Sequence, residues 1–438
     1  MKTIIVWYRN DLRIHDHVPL FRAFQKTRYI VPVYCFDPRL WEKTSFGFPK
    51  TGGFRTRFLL ESVADLQKNI ASLGGCLIVR YGKPEEVLPE IAQKTNASAV
   101  YASKEIASEE VKVEQAVEKK LLQNGIPLQL FWNSSLYHPE DLPFPIKKVP
   151  DVFTNFRKEV EKFAKVPPPV PTPEKIETPP TDSEKITYQP SWNVPLLESD
   201  ARTAFPFRGG ESRALVRLQE YFWQTDALRY YKDTRNGLIG PNYSSKFSPW
   251  LANGCLSTRL VYHKVLQYEK ERFQNESTYW LIFELLWRDY FRWIAKKYGN
   301  AIFRKEGIKQ KPLNLQDSYA TFEKWAYGNT GVPFVDANMK ELLLTGFMSN
   351  RGRQNVASFL VHDLKVNWVM GAEWFESWLI DYDVYSNWGN WNYIAGVGND
   401  PRENRYFNIE RQAQTYDPDG KYVRLWLSEK NQPAQQAY

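Results

Sequence analysis

Between Tyr137 and about Asp200 the chain loses all hydrophobic periodicity. Pro167, Pro168, Pro169, Pro171, Pro173, Pro179 and Pro180 interleave there with Thr, Glu and Lys. Proline fixes φ and removes a backbone donor, so the stretch is neither an interior helix nor a central strand. It reads as an extended connector lying over the surface, with one short helix over 152–164. The flanks must then fold around separate cores, as a length of 438 residues already suggests.

The first flank alternates two periods. Short β-branched and aromatic runs at 3–8, 29–36, 76–81, 98–102 and 127–132 read as strands. Helical spacing holds around Leu20, Phe21 and Phe24 and over 55–73, 84–96 and 107–124. Strand–helix repeats of this kind predict a doubly wound parallel α/β sheet, which binds ligands beyond its strand carboxyl ends. No GxGxxG follows the first strand, so a dehydrogenase fingerprint is absent. Arg9, Asp11 and Arg13 follow it instead, as a polar network or as a surface cluster of salt bridges.

After Gly209-Gly210 the period is helical, over 211–224, 257–272, 277–298, 319–327, 335–345, 352–366 and 372–380. No fixed repeat appears, which disfavours a solenoid. The expected domains are an α/β unit at 1–132, a proline-rich linker at 133–200, an all-α unit at 201–427 and a short polar tail at 428–438.

Composition excludes several function classes. Cys35, Cys76 and Cys255 are few and scattered, which argues against a disulfide framework or zinc site and for a reducing compartment. Five His without HExxH give no dedicated metal site. The chain enters an apolar strand at once, and its most apolar window, WLIFELLW, contains Glu284. Neither a leader peptide nor a membrane span is expected, and the reading is a cytoplasmic monomer. A formal charge of +8 is consistent with a nucleic-acid partner. Sixteen Trp, 25 Tyr and 26 Phe suggest a large aromatic core, a stacking ligand, or both.

Three constellations in the helical half carry candidate chemistry. Tyr231 precedes Ser244-Ser245-Lys246-Phe247-Ser248, whose hydroxyls, amides and one cation suit a diphosphate, although serine-rich helix caps look the same. Glu284, Trp287, Arg288 and Phe291 share a helical face. They suit a planar hydrogen-bonding ring, or form a Glu284–Arg288 pair over a packed indole. Asn350, Arg353 and Gln354 share another face, with Arg351 pointing aside. Asp381 can pair with Arg353, leaving Asp383 and Asn387 for a second polar group. A flavin-like redox ring would use such a set. A helical core with one buried ion pair would also produce it. Trp391 and Trp368 could carry electrons between the ring and the surface.

The runs ELLWRDYFRW, TGFMSNRGRQNVASFL, LIDYDVYSNWGNWNY and GVGNDPRENRYF closely resemble the photolyase/cryptochrome family, and GFPKTGGFRTRFLLES resembles its DASH branch. The resemblance spans nearly the whole chain. It implies an antenna-binding α/β domain, a connector and a helical FAD domain. FAD would be held by Tyr231, Ser244 to Ser248, Asn350, Arg353, Asp381, Asp383 and Asn387, with Asn387 near the flavin's reactive nitrogen. It places Glu284 and Trp287 at the lesion, and Arg235, Arg351 and Gln412 near the DNA backbone. It places Glu109 at a 5,10-methenyltetrahydrofolate antenna, and Trp391 and Trp368 in a photoreduction chain. The usual outer member of that chain is replaced by Leu315, with Tyr319 as one candidate substitute.

Gln354 and Tyr393 stand where photolyases of duplex DNA have Met and Trp. The resemblance therefore implies blue-light-driven repair of cyclobutane pyrimidine dimers, mainly in single-stranded DNA. A duplex-acting photolyase fits these two positions less well, and a (6-4) photolyase lacks its paired histidines. The rival expectation is a light sensor or transcriptional regulator that keeps FAD and DNA affinity but repairs little.

Overall fold

The computed structural model describes residues 2–180, 192–402 and 405–428. Five parallel strands, β1 (Thr3–Tyr8), β2 (Ile30–Phe36), β3 (Ile78–Tyr81), β4 (Ala97–Ser103) and β5 (Leu128–Phe131), form one sheet ordered β3-β2-β1-β4-β5. Every residue of β1 and β2 is buried, as expected where helices cover both faces. The covering helices of this half are α1 (Val18–Phe24), α2 (Gly53–Ser72), α3 (Pro84–Lys94) and α4 (Ser108–Leu122).

The crevice between the carboxyl ends of β1 and β4 is filled by the protein itself. Asp11 accepts from His17 Nε2 (2.9 Å), from Arg9 N (2.7 Å) and from the Ser103 hydroxyl. His17 Nδ1 accepts from Leu20 N, so Nε2 carries the proton given to Asp11. Arg13 donates to Gly254 O and Asn133 O. These groups are deeply buried, which corrects the surface-cluster reading: the network docks the helical half onto the sheet.

The connector carries α5 (Phe153–Phe163). Its described part is not merely superficial, contrary to expectation. Ile176 and Val194 are buried, Ile176 N donates to Leu73 O, and the Trp192 ring stacks on Trp41 at 3.9 Å. Isolated apolar residues thus pin an otherwise polar strand of chain to the α/β half.

The second half is helical: α6 (Glu211–Gln219), α7 (Tyr231–Thr234), α8 (Ser248–Ala252), α9 (Thr258–Glu271), α10 (Glu276–Tyr298), α11 (Tyr319–Ala326), α12 (Pro333–Thr345), α13 (Asn350–Ser358), α14 (Trp368–Trp378), α15 (Val384–Ile394), α16 (Ile409–Tyr416) and α17 (Lys421–Leu427). The runs expected as single helices over 211–224 and 352–366 each end in a wider turn of i→i+5 bonding, at Glu220–Gln224 and Phe359–Asp363. The longest helix, α10, begins with a reciprocal cap between Asn275 and Thr278. Among the described residues no helix is long and apolar enough to cross a membrane. Apart from Ser428, the polar tail lies outside the described residues.

Candidate functional site

Helices α13, α14 and α15 and the segment joining α14 to α15 line a cleft that is partly open to solvent. Asn350, Arg353 and Gln354 line it from α13, and Asn387 and Trp391 from α15, with Asp381, Tyr382 and Asp383 between. Arg353 Nη2 meets Asp381 Oδ2 at 2.8 Å, and Arg353 Nε donates to Met348 O. The second Asp381 oxygen is buried and has no partner. A buried carboxylate oxygen without a donor is costly. The cleft therefore presents an acceptor suited to a ring N–H.

Asp383 lines the cleft and is also engaged by the protein. Its Oδ1 caps α15 by accepting from Ser386 N, and its Oδ2 meets Arg288 (3.2 Å) and Arg292 (3.5 Å). Burial raises its pKa, but the two guanidiniums outweigh burial and hold it below the ordinary aspartate value. Asp383 borders the cleft yet serves α15, and Arg288 belongs to it rather than to Glu284. The Asn387 amide donates to Ala372 O, which fixes its orientation at the cleft wall.

A second seat adjoins the first. Lys246 and Arg353 flank the same Phe347 ring, at 5.2 and 5.5 Å from its centre. The Lys246 ammonium is buried over the Tyr243 ring without a hydrogen-bond partner, and burial drives its pKa well below the ordinary lysine value. Ser245 and Phe247 are buried beside it, while Ser244 is half-buried and Ser248 exposed. A buried amine without a partner, next to accessible hydroxyls, fits an anionic ligand whose charge would favour the protonated form.

The rim follows α10. Glu284 pairs with Arg235, bringing together two residues assigned separately from the sequence. Burial pushes the Glu284 carboxyl above its ordinary value, and Arg235 opposes that rise. Tyr231 is buried near Glu284, whose charge adds to the burial effect on its phenol. Trp287 stacks on Phe153 at 3.7 Å and meets Tyr393 edge-on at 5.8 Å, so its wall is rigid. Arg351 donates to Asn236 and lies 4.6 Å from the Tyr416 ring centre, and Gln412 stands on α16 with a buried, unpartnered Oε1.

The chain matches the family model of the FAD-binding domain of DNA photolyase over residues 280–438, and the DNA photolyase model over 4–174. A cryptochrome DASH of Gloeobacter violaceus is 54% identical over 98% of this chain and 86% of its own length. That of Xenopus laevis is 53% identical over 98% and 83%. The chain belongs to the photolyase/cryptochrome family, in its cryptochrome DASH group. The solved Synechocystis cryptochrome superposes with a TM-score of 0.95 at 52% identity, over 99% of this chain and 90% of its own. A class III photolyase from Agrobacterium tumefaciens gives 0.82 at 28%, over 97% and 86%. The family's FAD-binding domain makes FAD the cofactor of the helical half. Tyr231 and the Ser244–Ser248 loop precede the matched segment 280–438.

Trp391 borders the cleft, and its ring neighbours are Trp325 (6.3 Å) and Phe375 (5.2 Å). Trp368 is fully buried against Trp388 (5.8 Å). Tyr319 is half-exposed and meets the Phe46 ring. Leu315 is half-buried, and its carbonyl accepts from Lys305. Glu109 is exposed on α4 and receives Lys50 Nζ at 2.8 Å on both oxygens.

Several residues of the site were not identified from the sequence. Tyr382 lines the cleft under the Arg55 guanidinium, Phe347 links the two seats, and Arg217 grips the Ser244–Ser248 loop. Each takes its role from a partner at least 25 positions away or across the connector, so no local pattern marked it.

Proposed function

We propose that this chain is a blue-light-driven, FAD-dependent lyase that splits cyclobutane pyrimidine dimers, mainly in single-stranded DNA. The observation that carries the reading is the juxtaposition of two features. A half-buried Glu284–Arg235 pair and a Trp287–Tyr393 wall stand on the rim. Behind the rim is a cleft whose acid–guanidinium pair keeps one oxygen free.

Arg353, Asp381 and Asn387 would hold the flavin ring, and the Ser244–Ser248 loop with Lys246 its diphosphate. When bound and reduced, FAD supplies the photoexcited electron that opens the dimer. The remaining work falls to protein groups. Trp287 packs against the extracted bases, and Glu284 hydrogen-bonds the dimer and steadies the charge that develops on it. Burial raises the Glu284 pKa and Arg235 opposes that rise, so the carboxyl stands desolvated but paired at the rim. Arg235 and Arg351 supply cations for the backbone phosphates.

Taking a dimer from a duplex requires breaking its stack, whereas a single strand presents it already free. The wall here is one indole and one phenol, with Gln354 at the cleft edge. Aromatic area compensates for extraction, so this smaller wall favours the single strand. For the antenna, Glu109 and its Lys50 partner would receive a folate at the junction of the two halves, close to Glu376 and Arg55.

Illumination of reduced protein with a dimer-bearing oligonucleotide tests the reading. Dimers are expected to disappear faster from single-stranded than from double-stranded substrate. Equal rates would overturn the strand preference. FAD-loaded protein that binds the strand but clears nothing would leave a photoreceptor or regulator instead. Glu284→Ala is expected to retain FAD and to lose at least about 100-fold in repair rate, as when an aligned transition-state donor is removed. Repair at the parent rate would refute the role.

A further inference from the structure

The Ser244–Ser248 loop is held by a residue that touches no part of the cleft described above. Arg217, on α6, is 1% exposed. Its Nε donates to Ser245 O (3.1 Å), Nη1 to the Asn242 side chain (3.1 Å), and Nη2 to Pro241 O (2.9 Å) and Ser244 O (3.4 Å). The guanidinium lies against the rings of Phe205 (4.7 Å) and Tyr221 (5.0 Å), and Glu220 pairs with its edge at 3.1 Å. A fork fixed this tightly has no freedom to reach a ligand itself.

Its effect on the loop follows from peptide geometry. In a trans peptide the C=O and N–H point in opposite directions. Turning the Ser244 and Ser245 carbonyls toward Arg217 therefore turns the N–H groups of Ser245 and Lys246 away from it. Lys246 then adopts φ +62°, and Phe247 returns to φ −77°, ψ −15°. Successive left- and right-handed residues converge their amides into an anion-binding nest. Among the described residues no acceptor meets the N–H of Ser245, Lys246 or Phe247. The buried Lys246 ammonium stands unpartnered beside them. A left-handed lysine is strained, and such strain persists only where surrounding structure enforces it.

We propose that Arg217 is a positioning residue that holds this loop as a diphosphate-binding nest, so that it sets affinity for the nucleotide end of FAD and not for the ring end. The inference rests on the reading of the loop and cleft as two parts of one flavin-nucleotide seat.

Apoprotein titrated with FAD, and with ADP and riboflavin as competitors, separates the two ends. In Arg217→Met, affinity for FAD and ADP is expected to fall roughly 10- to 100-fold, the loss expected when charged hydrogen bonds are removed. Riboflavin affinity is expected to stay at the parent value. Arg217→Lys keeps the charge but not the fork, and is expected to fall between. Parent-like FAD affinity in Arg217→Met would overturn the proposal. So would a parallel loss of riboflavin and FAD, or parent protein from which ADP or riboflavin displaces no FAD. Parent protein that binds no FAD would remove the underlying seat itself, a separate failure.

Discussion

Glu341 shows how a single buried group near the site leaves a thermodynamic signature. It is 1% exposed on α12, accepts from Tyr422 at 2.6 Å, and lies within the field of Lys246 and Arg353. Burial pushes its carboxyl up to about 7 from an ordinary 4.5, against those three groups. Because the folded value is raised, the folded chain keeps a proton that the unfolded chain loses. The contribution is complete below about pH 4.5 and fades as pH rises toward 7. Glu341→Gln keeps the shape and removes the titration. Urea unfolding at pH 5, 6 and 7 is expected to show a shallower fall of stability with pH, by up to about 1.4 kcal/mol per pH unit. Glu105 and Glu376, also pushed up to about 7, would keep part of the trend. An unchanged pH slope would show that Glu341 ionises freely.

Packing between α14 and α15 depends on Gly371, where a Cβ would collide with the Trp391 ring. Gly371→Ala must therefore move Trp391 at the cleft wall. Less bound flavin per mole of purified protein is expected, with a fall of about 1–3 kcal/mol in stability from overpacking. Flavin absorbance against protein absorbance measures the first, and a parent ratio would show that the two helices slide apart freely. These elements also show what could be read from the sequence. The five strands were legible as short β-branched and aromatic runs, and α2 to α5 because each buries one face at helical spacing. The site residues on α13 and α15 stood out because polar groups recurred in apolar runs. The wide turn at Phe359–Asp363 did not, since it ends where His362 meets Ile394 O on another helix. Helix α16 leaves little mark in the sequence because Ile409 is its only deeply buried residue. The cap and the two arginines that engage Asp383 leave no mark in its neighbours' spacing, so this structural part of its role was not legible.

Polar clasps cross the junction of the two halves as well as apolar packing. A single buried cluster runs from Ile4 in the sheet to Trp426 in α17. Tyr385, in the first turn of α15, reaches the α/β half: its hydroxyl accepts from Ile106 N and Ala107 N and donates to Glu105 Oε2 at 3.2 Å. Arg292, one of the partners of Asp383, lies 4.5 Å from the same ring. The segment that leads into α4 and Glu109 is thus tied directly to the helix carrying Asn387 and Trp391. Tyr385→Phe keeps the ring and its cation contact but strands two buried amides, at a cost of about 1–3 kcal/mol each where water cannot replace the hydroxyl. A lower melting temperature is expected, with faster amide exchange at Ile106 and Ala107. If the clasp holds the halves together, heating should also begin to separate their unfolding into two steps. An unchanged melt with parent-like exchange at 106 and 107 would show that the apolar junction alone suffices.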